Sequence, residues 1–231
     1  MPQLIAMVIV VVGAMIYMFQ TFGGTGDKLS GIAQKSSIIT EINNIKEGLK
    51  IAAGYNYIVE TVDTDAYPDG KQTLEGLAEL GIFAEQINEQ IDTDGDLTAA
   101  VRDKINVYNA LSFGGSQGTN PKLADGTNNT SSVKIQLVTL KDHIPGIYVN
   151  LQDGSLKDND TFLESQIAKD LGTIATIDRL AISPTAAGNA TATTGIEQRV
   201  PALTTGGTGT NGDGKFIIYF KDFGASEVVA N

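Results

Sequence analysis

The sequence predicts an α+β fold: a long N-terminal hydrophobic helix, interrupted near Gly23–Gly26, packed on an antiparallel-sheet head with additional helices. Three observations carry this. Residues 1–26 hold no charged side chain and end in a glycine-rich break. Apolar residues then recur at helical spacing through the first half of the chain. The second half carries alternating apolar and polar residues, the signature of half-buried strands. Helices first and strands after is the order of an α+β chain.

With 231 residues the chain suits one domain of ordinary size plus a tail. An apolar content of 42% against 19% charged is compatible with a packed core. The net charge of −11 repels phosphate backbones and anionic lipid heads, which disfavours a general nucleic-acid-binding role. Absence of cysteine excludes disulfides, thiolate catalysis and cysteine-based zinc or iron–sulfur sites. His143 is the sole histidine, so most histidine-dependent chemistry lacks its raw material.

Leu4 to Phe19 is almost unbroken apolar sequence, and Phe22 adds one more position. As a helix, Pro2 to Phe22 would rise roughly 30 Å, about one hydrocarbon thickness. Apolar on every face, it needs lipid or protein all around it. A secretory signal peptide should begin with Lys or Arg and end in small residues. Here no basic residue precedes Lys28, and Tyr17-Met18-Phe19-Gln20-Thr21-Phe22 ends the run. A plain signal anchor is a second reading. The third is a mature chain whose basic leader has been removed. Tyr17, Phe19 and Phe22 suit a membrane-interface belt or a stacked apolar core.

Gly23, Gly24 and Gly26, with Thr25 between them, form a flexible helix break. Ile38, Ile42, Ile45, Leu49 and Ala52 then mark one stripe of an amphipathic helix, with Glu41, Asn43, Asn44, Lys46, Glu47 and Lys50 on the other faces. The chain thus divides into an apolar segment with its break (1–26), an amphipathic continuation (27–58) and a head (59–231).

This N-terminal organisation resembles that of type IV pilins, with similarity to the type IVb branch in a mature Met1 and the generous length. The resemblance implies a helix that sits in the inner membrane before assembly and forms the core of a filament afterwards. Met1, Leu4, Ile5, Val8, Val11, Val12, Met15, Phe19 and Phe22 are the implied core residues. The glycine break would match the locally melted stretch of assembled pilins. Implied partners are further copies of the chain in a helical homopolymer, the lipid bilayer, the inner-membrane assembly machinery and a prepilin peptidase. An N-methylated Met1, a surface filament and an adhesion or motility role belong to the same expectation, and no enzyme activity does. Three features depart from the family. Ile5 stands where a Glu normally pairs with a neighbour's amine, and no carboxylate precedes Asp27. Pro2 is unusual, although proline fits a first helical turn. The cysteine pair common near pilin C-termini is missing. The rival readings are a minor pilin or secretion pseudopilin, and a monomeric membrane-anchored binding module.

Within the head, Asp63 to Gly70 reads as a loop. Leu74, Leu77, Leu80, Ala84, Ile87 and Ile91 predict one helix over 73–91, and Leu97, Val101, Ile105, Tyr108 and Leu111 another over 97–112. These two helices argue against an archaeal-type filament head built almost wholly of strands. Residues 112–132 read as a long surface loop. Strands follow around Val133–Leu137 and Ile147–Leu151, then a short helix on Phe162, Leu163, Ile167 and Leu171. Residues 174–182 are ambiguous. Residues 183–214 predict exposed loops, interrupted by Val200–Leu203. Phe216–Phe220 predicts a buried strand.

Candidate chemistry is sparse. Asp92, Asp94 and Asp96 offer hard oxygens to calcium. Gly95 at the fourth position and the missing Glu at the twelfth depart from an EF-hand, so a solvated turn in which Asp96 caps a helix is the competing reading. Asp153, Asp158 and Asp160 are a weaker case. No cofactor is otherwise expected. The tripeptides at Asn128, Asn129, Asn159 and Asn189 fit a glycosylation pattern by composition alone. No phosphate loop, nucleophile elbow or dinucleotide fingerprint is present. Gly206-Gly207-Thr208-Gly209 reads as flexible linker.

Overall fold

The computed structural model describes residues 31–61, 66, 69–91, 106–113, 131–186, 199–205 and 209–230. The chain divides into two compact units, Met1–Ser37 and Ile38–Asn231. Of the first unit, residues 31–37 are described and are helical. The apolar segment Leu4–Phe22, the break at Gly23, Gly24 and Gly26, and Asp92, Asp94 and Asp96 all lie outside the described residues. No helix among the described residues is long and apolar enough to cross a membrane.

The head is α+β, as the sequence predicts. Helix α1 covers residues 31–54. Then follow α2 (Leu74–Glu79), α3 (Glu85–Ile91), β1 (Tyr108–Asn109), β2 (Lys134–Val138), β3 (Gly146–Asn150), α4 (Asp160–Leu171), β4 (Ala175–Asp178) and β5 (Lys215–Phe220). The strands form one sheet in the order β1-β2-β3-β5-β4, antiparallel throughout. The last strand is therefore inserted between β3 and β4.

Register fixes the two faces, because successive side chains point to opposite sides. Tyr108 pairs with Ile135, Ile135 with Val149, Val149 with Phe216, and Leu137 with Ile147, which pairs with Ile218. Phe220, in step with Phe216 and Ile218, pairs with Ala175. These residues make one apolar face. Helix α1 lies across it: Glu41 accepts a hydrogen bond from Tyr108, and the Lys46 ammonium sits 4.9 Å from the Phe220 ring centre. The stripe Ile38, Ile42, Ile45, Leu49 and Ala52 is fully buried in the same core. The opposite face carries Tyr148, Ile217 and Tyr219, also buried, so the central strands are enclosed on both sides.

Two predicted helices are corrected. The helix expected over 73–91 is broken into α2 and α3. Thr73 caps α2 by accepting the Gly76 N–H at 3.1 Å. Gly81, at φ 67°, ends it: Gly81 N–H donates to Ala78 and Ile82 N–H to Leu77. That pair of bonds is a glycine-terminated Schellman cap. The apolar period then slips, so Phe83 is buried while Ala84 is exposed. The helix expected to run to residue 112 is absent over 106–110. Asn106 accepts from Leu74 N–H (3.2 Å) and Leu137 N–H (3.0 Å) and donates to the Leu137 carbonyl (2.7 Å). Its amide caps α2 and extends the sheet ladder, which holds Tyr108–Asn109 as a strand. The ambiguous stretch 174–182 contains β4.

The described ends of the expected long loops are more firmly tied than their composition implies. Ser131 is fully buried. Asp178 accepts from Thr204 N–H (2.8 Å) and the Thr204 hydroxyl (2.7 Å), fastening residues 199–205 to the end of β4.

Candidate functional site

The surface with the best claim to function is α1 and its seat on the sheet, because the sequence joins this helix directly to the apolar N-terminal segment. Three devices fix its orientation. Within its first half Glu41 accepts from the Tyr108 hydroxyl (2.7 Å) and the Ser112 hydroxyl (2.5 Å). Burial, then the hydrogen bond and charge of Glu41, push the Tyr108 phenol far above its ordinary range, so it stays a donor.

At mid-helix, Lys46 is buried and its ammonium lies 2.7 Å from Asp222, just beyond β5, with Glu47 at 3.5 Å. Lys50 reaches the same Asp222 carboxylate at 3.6 Å. Burial works against charge at Lys46, but the Asp222 hydrogen bond and attraction outweigh it and raise its pKa. Burial also opposes charge at Asp222, and there Lys46, then Lys50, win and lower its pKa. A depressed carboxyl contributes stability at neutral pH that is lost as pH falls below 3.8; the raised lysine loses its share only above 10.5. Asp222 is 46% exposed, so the pair is partly screened. Asp222→Asn should cost about 1 kcal/mol at neutral pH. Thermal melts across an acid titration test this: the two curves should converge in strong acid, and a pH-independent gap would remove the ion pair as the cause.

Third, Gly48 lets α1 approach Phe83. A Cβ at residue 48 would stand 2.2 Å from Phe83 Cδ1.

With its inner stripe and flanks committed, α1 offers partners only its outer face, where Thr40, Asn44 and Glu47 are exposed. Ile51 is 50% and Tyr55 68% exposed, one turn apart at the end of this face. Tyr55 stacks on Tyr57 with ring centres 5.6 Å apart.

Among the described residues no three His, Cys, Asp or Glu side chains converge as metal ligands. Asp153 pairs with Lys134 at 2.9 Å, and Asp160 accepts the Thr161 N–H at 2.5 Å, so both are engaged within the fold. His143 is buried in the β2–β3 turn with Nδ1 2.6 Å from the Lys141 carbonyl, a structural placement. Burial and the charge of Asp213 raise the Tyr148 phenol to about 12, and its hydroxyl donates to the Ile182 carbonyl at 3.0 Å. One cleft of 450 Å³ opens beside the ends of β4 and β5, lined by Ile144, Val200, Pro201 and Phe220 with Arg199 and Lys221. Arg199 is turned to the main chain, donating to the carbonyls of Phe223 and Gly224.

Sequence reasoning found the buried stripe of α1. It missed Tyr108, Phe83 and Asp222 as its seat, since these contacts join residues far apart in the chain. The expected core residues Met1, Leu4, Ile5, Val8, Val11, Val12, Met15, Phe19 and Phe22 lie outside the described residues, as do Asp92, Asp94 and Asp96. Comparison with protein-family models, with curated proteins and with solved structures finds no match.

Proposed function

We propose that the chain is the structural subunit of an extracellular filament similar to type IV pili, polymerising through its apolar N-terminal segment. The observation that carries this reading is the position of α1. An uncharged, apolar run of sequence leads into a helix whose inner stripe is already spent on an antiparallel sheet. On this reading the N-terminal segment finds its cover in lipid or in other copies.

Burying such a segment, about 20 residues long, supplies on the order of tens of kcal/mol of gross apolar transfer. Identical copies meeting through non-equivalent surfaces make contacts that do not close, which propagate a helix of subunits. With Ile5 in place of a carboxylate, this assembly relies on apolar packing rather than on an N-terminal ion pair. The acidic head faces water, and its charge keeps fibres apart.

Electron microscopy of sheared surface material, with mass spectrometry of the subunit's N-terminus, tests the proposal. Thin fibres built mainly of this chain are expected, and deletion of residues 1–26 should abolish them. Full-length chain confined to membranes without fibres would replace the proposal with an anchored monomeric module. Trace amounts at the ends of fibres made of another protein would make it a minor pilin.

A further inference from the structure

We propose that Glu164 protects two chemically weak peptide links, Asn211–Gly212 and Asp213–Gly214, from succinimide formation. In that reaction the backbone nitrogen after an Asn or Asp loses its proton to solvent base and attacks the side-chain Cγ. A five-membered imide forms, ammonia leaves from Asn or water from Asp, and hydrolysis gives mixed aspartyl and isoaspartyl products. Glycine in the following position offers the least steric hindrance to attack, so Asn–Gly and Asp–Gly are the most vulnerable pairs.

The fold cannot remove the weakness by replacing the glycines. Gly212 has φ 93° and Gly214 φ 74°, left-handed conformations that disfavour other residues. A Cβ at Gly212 would lie 2.8 Å from Thr161 Cγ2, and one at Gly214 would lie 2.7 Å from Asp160 Cβ. The loop is instead wrapped around a carboxylate. Glu164, on α4, is fully buried. It accepts the Gly212 N–H on both oxygens at 3.0 Å and the Gly214 N–H at 2.9 Å, and Arg179 Nε approaches at 2.7 Å.

Both nitrogens that would attack are therefore hydrogen-bonded to one side chain. Its negative charge also opposes their deprotonation. The electrophile is restrained too: Asp213 accepts from Lys215 N–H at 3.0 Å and Thr210 N–H at 3.5 Å. The Gly212 and Gly214 carbonyls are held by the Thr161 hydroxyl (2.5 Å) and Leu151 N–H (2.9 Å). The loop cannot easily swing into the attack geometry, and Asn211 stays exposed without being labile.

The test is ageing in mildly alkaline buffer at physiological temperature, with isoaspartate located by peptide mapping. A synthetic peptide spanning Thr210–Phe216 supplies the unprotected rate. In the intact chain both links should react about a hundredfold more slowly, the effect of displacing reacting atoms by an ångström or so. Rates within a few-fold of the peptide, or faster, would overturn the proposal. Glu164→Gln, which retains shape but not charge, should speed reaction at Asn211 while leaving Asp153–Gly154 in the same chain unchanged. No acceleration, or equal acceleration at both places, would assign the protection to the fold as a whole and not to Glu164.

Discussion

Gly48→Ala should destabilise the protein by about 2 kcal/mol, although alanine is the better helix former. In an exposed helix interior this change would stabilise by about 1 kcal/mol. Residue 48 faces the interior, where the new methyl would overlap Phe83 Cδ1 at 2.2 Å and Cε1 at 2.6 Å. Phe83 is 5% exposed and belongs to the central core, so its ring has no free space to enter. Forcing a methyl into a packed core typically costs about 1–3 kcal/mol. Clashes with two ring atoms put this site at the upper end. Urea denaturation of the detergent-solubilised chain measures the effect. In a Phe83→Leu background the penalty should shrink by at least about 1 kcal/mol, since the two side chains share one contact. A neutral or stabilising Gly48→Ala would mean that α1 can lift away from Phe83 and that its seat there is not fixed.

Gly48 also marks how far the sequence could be read. The stripe from Ile38 to Ala52 was legible because a 3.6-residue period depends on local spacing alone. The strands around Val133–Leu137 and Ile147–Leu151 were legible for the same reason with a period of two, and Phe216–Phe220 as a continuous apolar run. The break between α2 and α3 has a local cause as well, and Gly81 was its visible signal; regular apolar spacing on both sides concealed it. Tyr108 was not legible. It falls in helical register with Leu111, and its pairing with Ile135, beside the Asn106 amide bonded to Leu137, makes it a strand. Gly-, Thr- and Asn-rich composition likewise suggested exposed loops. Buried Asp178 and Glu164 show what composition could not supply: each gathers loop main-chain donors around one carboxylate, and neither carboxylate's partners can be inferred from spacing.

Removal of Val228–Asn231 should cost about 4 kcal/mol, far more than trimming an ordinary terminus. Chain ends usually fray, but residues 229–230 are hydrogen-bonded on two sides. Ala230 pairs with Val59 in parallel. Ala230 N–H donates to Ile58, Glu60 N–H to Ala230, Val229 N–H to His143, and Asp142 N–H to Val229. Val229 is fully buried. Each main-chain bond is worth about 1 kcal/mol and the valine about 2 kcal/mol, less the ordering entropy of the tail. The tail joins the exit of α1, at residues 57–60, to the β2–β3 turn. A cysteine pair could make such a junction covalently; here it rests on hydrogen bonds and one buried side chain. The loss should therefore be local before it is global. Hydrogen exchange at Glu60 and Asp142 should become fast in the truncated chain while β3 and β5 remain protected. Val229→Pro, which removes the donor to His143 and replaces the buried valine side chain, should reproduce part of the effect. Slow exchange at Glu60 and Asp142 after truncation would show that residues 57–60 hold their place without the tail. The C-terminus would then be an ornament of the fold and not its fastening.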